Sequence, residues 1–467
     1  MEDRTSAATT PGDGAHLADS VSRDGFTLLV GTFRSPELYV MRFNPPQPSS
    51  SHADGISTTK GLLAVAHKAS ALAGHSWLSL SPDHSHLYTT NWADPPSVGA
   101  YALDRASGLP IPTPLNTASV ASLSGYVVVS PSGRHLISVG GPTGEVFRLE
   151  DDGRIGPLVQ TLVFRKPAEL ADGAREGVAH GSFGGLRWGA HSVDLSPDGK
   201  SVYVADIGHN CIWTYSLNEA VDTGATNTTA IGNGEGSNGN GNGYGENTNK
   251  NIQLLTLTSK HISVRPTDGP RHCWPHPNGA VLYVVQEHSS MVDAFRVIDP
   301  QEEDAGTTTL LSHMSGASII PPSAMPKDFW ADEVRTSTIG ADEGRRPRWL
   351  YASTRGLQPE TKGYVAAYAL DGNGALESSK AAAIYETRMS GGLANAIEPA
   401  PREVYQRLGL LDNSDNEIEE YIALTDSEQG WVTILGWNGK AFREVAATRL
   451  GARDDDSVVQ AATAVWV

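Results

Sequence analysis

Cysteine is almost missing from this sequence: Cys211 and Cys273 are the only two among 467 residues. They offer neither a disulfide framework nor zinc-ligand spacing, and each falls inside an expected hairpin, where a small buried residue is the simpler reading. No apolar run approaches the roughly 18 residues a membrane helix needs, so no membrane partner is expected. The first residues, Met1-Glu2-Asp3-Arg4-Thr5-Ser6, lack the basic-then-apolar order of a secretion signal, and a cytoplasmic location is expected. Positive charge is scarce as well. Against 53 Asp and Glu stand 35 Lys and Arg, a formal net charge of -18. Nucleic acid and anionic lipid both reward clustered cations, so neither is an expected partner. An anionic small molecule stays open, provided a local cationic pocket overcomes the global field. Neither a Ser-His-Asp elbow nor a phosphate-binding Walker loop is present. His272 and His276 are four apart, but on a strand and turn rather than a helix, so no metal site is expected.

What is present is repetition. Four turns share one pattern: Ser81-Pro82-Asp83-His84, Ser130-Pro131-Ser132-Gly133, Ser196-Pro197-Asp198-Gly199 and His276-Pro277-Asn278-Gly279. Each is followed by a β-prone run, such as Leu87-Tyr88-Thr89-Thr90 or Leu282-Tyr283-Val284-Val285. Trp349 to Thr354 and Tyr421 to Asp426 are looser copies, and Phe26 to Thr32 with Leu38 to Phe43 open the series. Seven units spaced roughly 40–50 residues apart, with strand and no helical periodicity, specify an all-β, seven-bladed β-propeller. A strand over about 461–467 is expected to pair with the first blade and close the ring. Residues 1–24 are small and polar and read as a disordered tail, leaving 25–467 for the propeller. A Gly/Asn-rich stretch within 217–250 reads as a flexible insertion, and 301–345 as a polar one.

Superposing the repeats locates a site. Pro277 and Pro197 are 80 residues apart, as are Arg271 and His191, so those two hold equivalent places in successive units. Aligning Tyr283 with Tyr351 puts Glu287 opposite Arg355, and Asp426 in the same slot of the last unit. The other units carry Ser76, Gly125, Trp92 and Gly141 in these slots, so the architecture alone demands no charge there. Each charged residue has a plain alternative: a core histidine, an ion pair tying a hairpin, a turn cap at Asp426. Convergence at one rim favours a pocket. Arg271 and Arg355 are binding residues, since a guanidinium grips carboxylates bidentately and does not give up its proton. His191 and Glu287 are the titratable members and so the acid/base, catalytic candidates.

The turns, with Gly269 through Glu287, resemble the seven-bladed propellers that include 6-phosphogluconolactonase-like enzymes. Ala352-Ser353-Thr354-Arg355, Lys362 to Ala366, Ser390-Gly391-Gly392 with Asn395-Ala396, and Thr425 to Trp431 resemble, more narrowly, the fungal 3-carboxy-cis,cis-muconate cyclases. That resemblance implies a cycloisomerase of aromatic-compound catabolism, acting without a cofactor on an anionic polycarboxylate, with His191, Arg271, Glu287 and Arg355 at its site. It departs from the pattern at Leu393, where a histidine is usual. A lactonase hydrolysing a sugar-acid lactone and a non-catalytic interaction module are the alternatives. Whether the chain forms a homo-oligomer is left open.

Overall fold

The computed structural model describes residues 25–46, 60–165, 189–221, 253–298, 310–341, 345–411, 418–451 and 458–467. Seven four-stranded antiparallel sheets follow one another along the chain. In six of them the chain starts at the strand beside the central channel and steps outward. The second blade, for example, runs Leu78–Leu80, His86–Asn91, Ser97–Asp104 and Ile111–Ser119. The inner strands of successive blades touch one another in a closed ring. Ring closure comes from the far end of the chain: Ala461–Trp466 pairs antiparallel with Phe26–Thr32 and supplies the inner strand of blade one. The Trp466 indole N–H also donates to the Glu398 carbonyl of blade seven at 2.8 Å, stitching the seam.

The repeated turns build the blades for a local reason. In three of them glycine takes the left-handed position (Gly133, φ 73°; Gly199, φ 69°; Gly279, φ 74°), and in blade two His84 accepts it at φ 55°. The serine hydroxyl closes the turn on the aspartate, 2.6 Å from Ser81 to Asp83 and 2.6 Å from Ser196 to Asp198. After each turn, an alternating pair such as Leu282-Tyr283 sends one side chain toward each neighbouring blade. Tyr88, Tyr283 and Tyr351 are buried, and their hydroxyls reach the next blade at the Gly153 carbonyl, the Gly374 carbonyl and Glu420.

Three strands per unit were legible in the sequence; the structure adds a fourth, outer one. Outer strands such as Ile111–Ser119 are largely exposed and polar, so apolar alternation does not mark them. The expected polar insertion over 301–345 is corrected. Leu311–Ser318 is the outer strand of blade five and Phe329–Thr336 the inner strand of blade six. The second was hidden because Asp332, Glu333 and Arg335 are charged, yet all three are buried in the channel, where they face opposite charges. Leu217 ends a blade-four strand and Glu219–Val221 forms a short 3-10 turn. The rest of the 217–250 insertion, and the 1–24 tail, lie outside the described residues. Both cysteines are buried thiols, with Cys273 facing the core between blades four and five.

Candidate active site

At the channel end of the inner strands, the ladder skips a residue. The register jumps between Ala190 and Ser192 in blade four, Pro270 and His272 in blade five, and Ala331 and Val334 in blade six. In blade one it jumps across Ala462. A bulge leaves its residue unpaired and re-aims the side chain. His191, Arg271, Asp332 and Ala462 accordingly line one cavity of about 290 Å³, with Ser76, Gly125 and Ala396 from the remaining blades. Thus every blade contributes one residue from the same position. Glu287 and Arg355 enter from the second slot, as does Trp92. Asp426 does not reach the cavity; its carboxylate accepts the Glu428 N–H at 2.7 Å and caps the turn.

The four residues singled out from the sequence, His191, Arg271, Glu287 and Arg355, therefore share one cavity, and all are buried. Their mutual geometry was not foreseeable. Arg271 Nη1 donates to Glu287 Oε2 at 2.7 Å, its Nη2 meets Asp332 Oδ1 at 2.6 Å, and its Nε donates to the Asp332 carbonyl at 3.1 Å. Each nitrogen of Arg271 thus has a partner within the protein. Arg355 differs: its guanidinium stands 3.7 Å from Glu287 and 3.9 Å from Asp332, beyond hydrogen-bond length, with its face 5.3 Å from the Trp330 ring. The two arginines respond oppositely. Burial works against both charges, but Asp332 and Glu287 overcome it at Arg271 and hold its proton more tightly. At Arg355 burial and the neighbouring Arg271 charge prevail, loosening it. Arg355 is the under-compensated cation, the one an incoming carboxylate would relieve.

Buried charge occupies only one side of the cavity. Blades four to six supply it, whereas Phe33, Leu393, Trp92, Ala394 and Ala462 form an apolar cluster opposite, with the Phe33 and Trp92 rings 4.8 Å apart. Arg34 stands exposed at the rim. The floor is Trp77, stacked on Tyr126 at 3.9 Å. Beneath it a second cavity of about 740 Å³ opens toward the other end of the channel, and Trp77 lines both.

The family model described as "Lactonase, 7-bladed beta-propeller" matches residues 28–238 and 246–388. The chain belongs to that family. Over 455 residues, 96% of this chain and 100% of the relative, it is 36% identical to "Muconate cycloisomerase 1" of Cutaneotrichosporon cutaneum. A shorter match, 28% over 192 residues, covers 40% of this chain and 44% of "Carboxy-cis,cis-muconate cyclase" of Neurospora crassa. Among solved structures, the periplasmic gluconolactonase of Pseudomonas aeruginosa superposes with a TM-score of 0.64 at 16% identity, covering 95% of this chain and 99% of that one, a likeness of fold.

Sequence reasoning missed Asp332, His272, Glu333 and Trp77. Asp332 sits in blade six where Arg271 sits in blade five, but a seven-residue excess concealed this. Tyr283 and Tyr351 are 68 apart, Arg271 and Asp332 only 61, because a small ribbon pairing Gly340–Ala341 with Arg346–Pro347 intervenes. Aligning the inner strands separately from the turns was the signal that could have found it.

Proposed function

We propose that this protein is a lactonising cycloisomerase that closes 3-carboxy-cis,cis-muconate, or the closely related cis,cis-muconate, to its muconolactone, working in the cytoplasm. The observation that carries the reading is the division of the cavity into a charged wall, on which Arg355, unlike Arg271, has no carboxylate within hydrogen-bond length, and an apolar wall. A muconate is a flat hydrocarbon diene with carboxylates at its edges, and it matches both walls at once. The full-length relative named as a muconate cycloisomerase supports the same reaction class.

The chemistry fits the inventory. The nucleophile is one of the substrate's own carboxylates, so the enzyme needs none, and among the described residues the only hydroxyl on the cavity lining, Ser76, is hydrogen-bonded to Thr90 at 2.8 Å. As the C–O bond forms, one C=C bond is lost and the electron pair moves toward the carbon next to a second carboxylate. That carbon takes a proton from His191. Arg355 clamps the spectator carboxylate and stabilises its enolate-like charge, while the Arg271–Glu287–Asp332 cluster holds Arg355 in place. Each turnover of the anionic substrate consumes one proton.

The test is loss of diene absorbance when pure protein meets either muconate, with the lactone identified by mass and NMR. Turnover of neither diene, alongside hydrolysis of a sugar-acid lactone, would replace this reading with the lactonase. Arg34 gives a milder check. As an exposed rim cation on a strongly acidic protein, it is expected to act in capture of the dianion or trianion rather than in chemistry. Arg34→Ala should raise KM about five- to tenfold, roughly 1 kcal/mol, leave kcat within twofold, and lose most of its effect at high salt.

A further inference from the structure

Behind His191 lies a row of hydrogen-bonded groups that the reaction above does not use. His191 Nδ1 is 3.2 Å from His272 Nε2, and His272 Nδ1 is 2.7 Å from Glu333 Oε2. The row crosses three inner strands, and all three residues are buried. The His272 ring is pinned by the Trp77 and Tyr126 rings at 5.3 and 5.4 Å. Glu333 is fixed from its other oxygen by Arg335 and by the Val334 N–H at 3.0 Å.

We propose that His191, His272 and Glu333 form one proton-holding array, with His272 and Glu333 as positioning residues that load His191 and aim its Nε2. Taken as a proton donor for lactonisation, the array rests on the cyclase reading; its tautomers do not.

The hydrogen bonds permit few arrangements. With Glu333 ionised, His272 must donate from Nδ1, so its Nε2 accepts and His191 must donate from Nδ1. His191 Nε2 then carries no hydrogen. Adding one proton gives three arrangements, related by shifting hydrogens along the row. His191 is imidazolium beside a Glu333 carboxylate, or His272 is the imidazolium between them, or Glu333 is the neutral acid and both imidazoles carry hydrogen on Nε2. In all three, His191 presents Nε2–H. Loaded, the row is an acid; unloaded, it is a base.

The surroundings favour this sharing. Arg271 and Arg335 flank His272, with Asp332 and Glu287 beyond, and burial together with Arg271 pushes its pKa far down, so it passes the proton on rather than keeping it. Burial lifts the Glu333 carboxyl to about 7 against the pull of Arg335, with Asp332 and Arg271 as its other charged neighbours. On the far side Asp194 and Glu398, with the Tyr126 hydroxyl that donates to Asp194, complete the ionisable groups around Arg335. Loading therefore falls near neutral pH, as a property of the row rather than of one residue. In turnover the carboxylate oxygen bonds to carbon, the π bond breaks, and His191 Nε2–H goes to the new C–H. The row is left one proton short and reloads from solvent.

Glu333→Gln keeps an acceptor for His272 but removes the charge and the resting place for the proton. For cyclisation the acid must be loaded, so activity falls as pH rises through the row's apparent pKa; without the carboxylate that limb should move at least one unit lower. kcat should drop about ten- to a hundredfold with KM within twofold. An unmoved limb overturns the proposal. The second arm needs neither substrate nor variant. Histidine ¹⁵N NMR of the wild-type protein at high pH should show His191 and His272 each protonated on Nδ1, and His191 with its hydrogen on Nε2 overturns it. Failure of the wild-type protein to turn over any muconate sinks the cyclase reading alone, leaving the NMR arm decisive for the array.

Discussion

Replacing Arg271 with methionine is expected to destabilise the protein by about 3–5 kcal/mol as well as abolish measurable turnover. Arg271 is the hub of the site: Glu287, Asp332 and the Asp332 backbone all use its guanidinium. Methionine fills similar volume, so the loss comes from two carboxylates left buried without their cation rather than from a void. Arg355 cannot replace it, standing 3.7 and 3.9 Å from the same oxygens. The deficit should depend on pH in a defined direction. The cost falls on the ionised carboxylates left without their cation, so the variant is least impaired at low pH and weakens as pH rises. Adding Glu287→Gln to Arg271→Met should recover part of the stability and none of the activity. Chemical denaturation between pH 5 and 8, with turnover in parallel, checks this. A single variant as stable as wild type would show that the cluster is not held together by Arg271.

That hub also explains what could be read from the sequence. Repeat alignment exposes positions, because a bulge in the inner strand recurs in successive blades and turns keep the count between them. It therefore reached His191, Arg271, Glu287 and Arg355, residues at a fixed count from the well-marked turns or the strands after them. It could not reach partners contributed by a strand whose composition is charged. Ala331-Asp332-Glu333-Val334-Arg335 reads as solvent-facing until its neighbours are known, since each charged group finds a partner on another blade: Asp332 the Arg271 guanidinium, Glu333 the His272 imidazole, Arg335 the Glu398 carboxylate. The expectation of two substrate-gripping arginines was revised for the same reason. Sequence supplies the guanidiniums, and only three-dimensional pairing shows that Arg271 is occupied within the protein while Arg355 keeps donors to spare. The closing strand was legible because its apolar run, Ala461–Trp466, had no other partner.

The choice of proton donor between His191 and Glu287 can now be argued from geometry. Glu287 Oε2 accepts from Arg271 and faces Arg355, a setting that favours the carboxylate over the acid. His191 lines the cavity on the next blade and is backed by His272 rather than by a cation. His191→Asn is therefore expected to lower kcat by about 10²–10⁴-fold, the usual weight of a general acid, with KM within about threefold because the carboxylate clamps are untouched. Stability should change little compared with Arg271→Met, since asparagine introduces no unpaired charge. The alkaline limb of the rate profile should vanish with the imidazole, leaving a slow, nearly flat residual rate. Glu287→Gln should do something different: disturb both arginines and raise KM as well as lower kcat. If His191→Asn retains more than a tenth of wild-type kcat with the limb intact, the proton comes from another group, and Glu287 would be the first to re-examine.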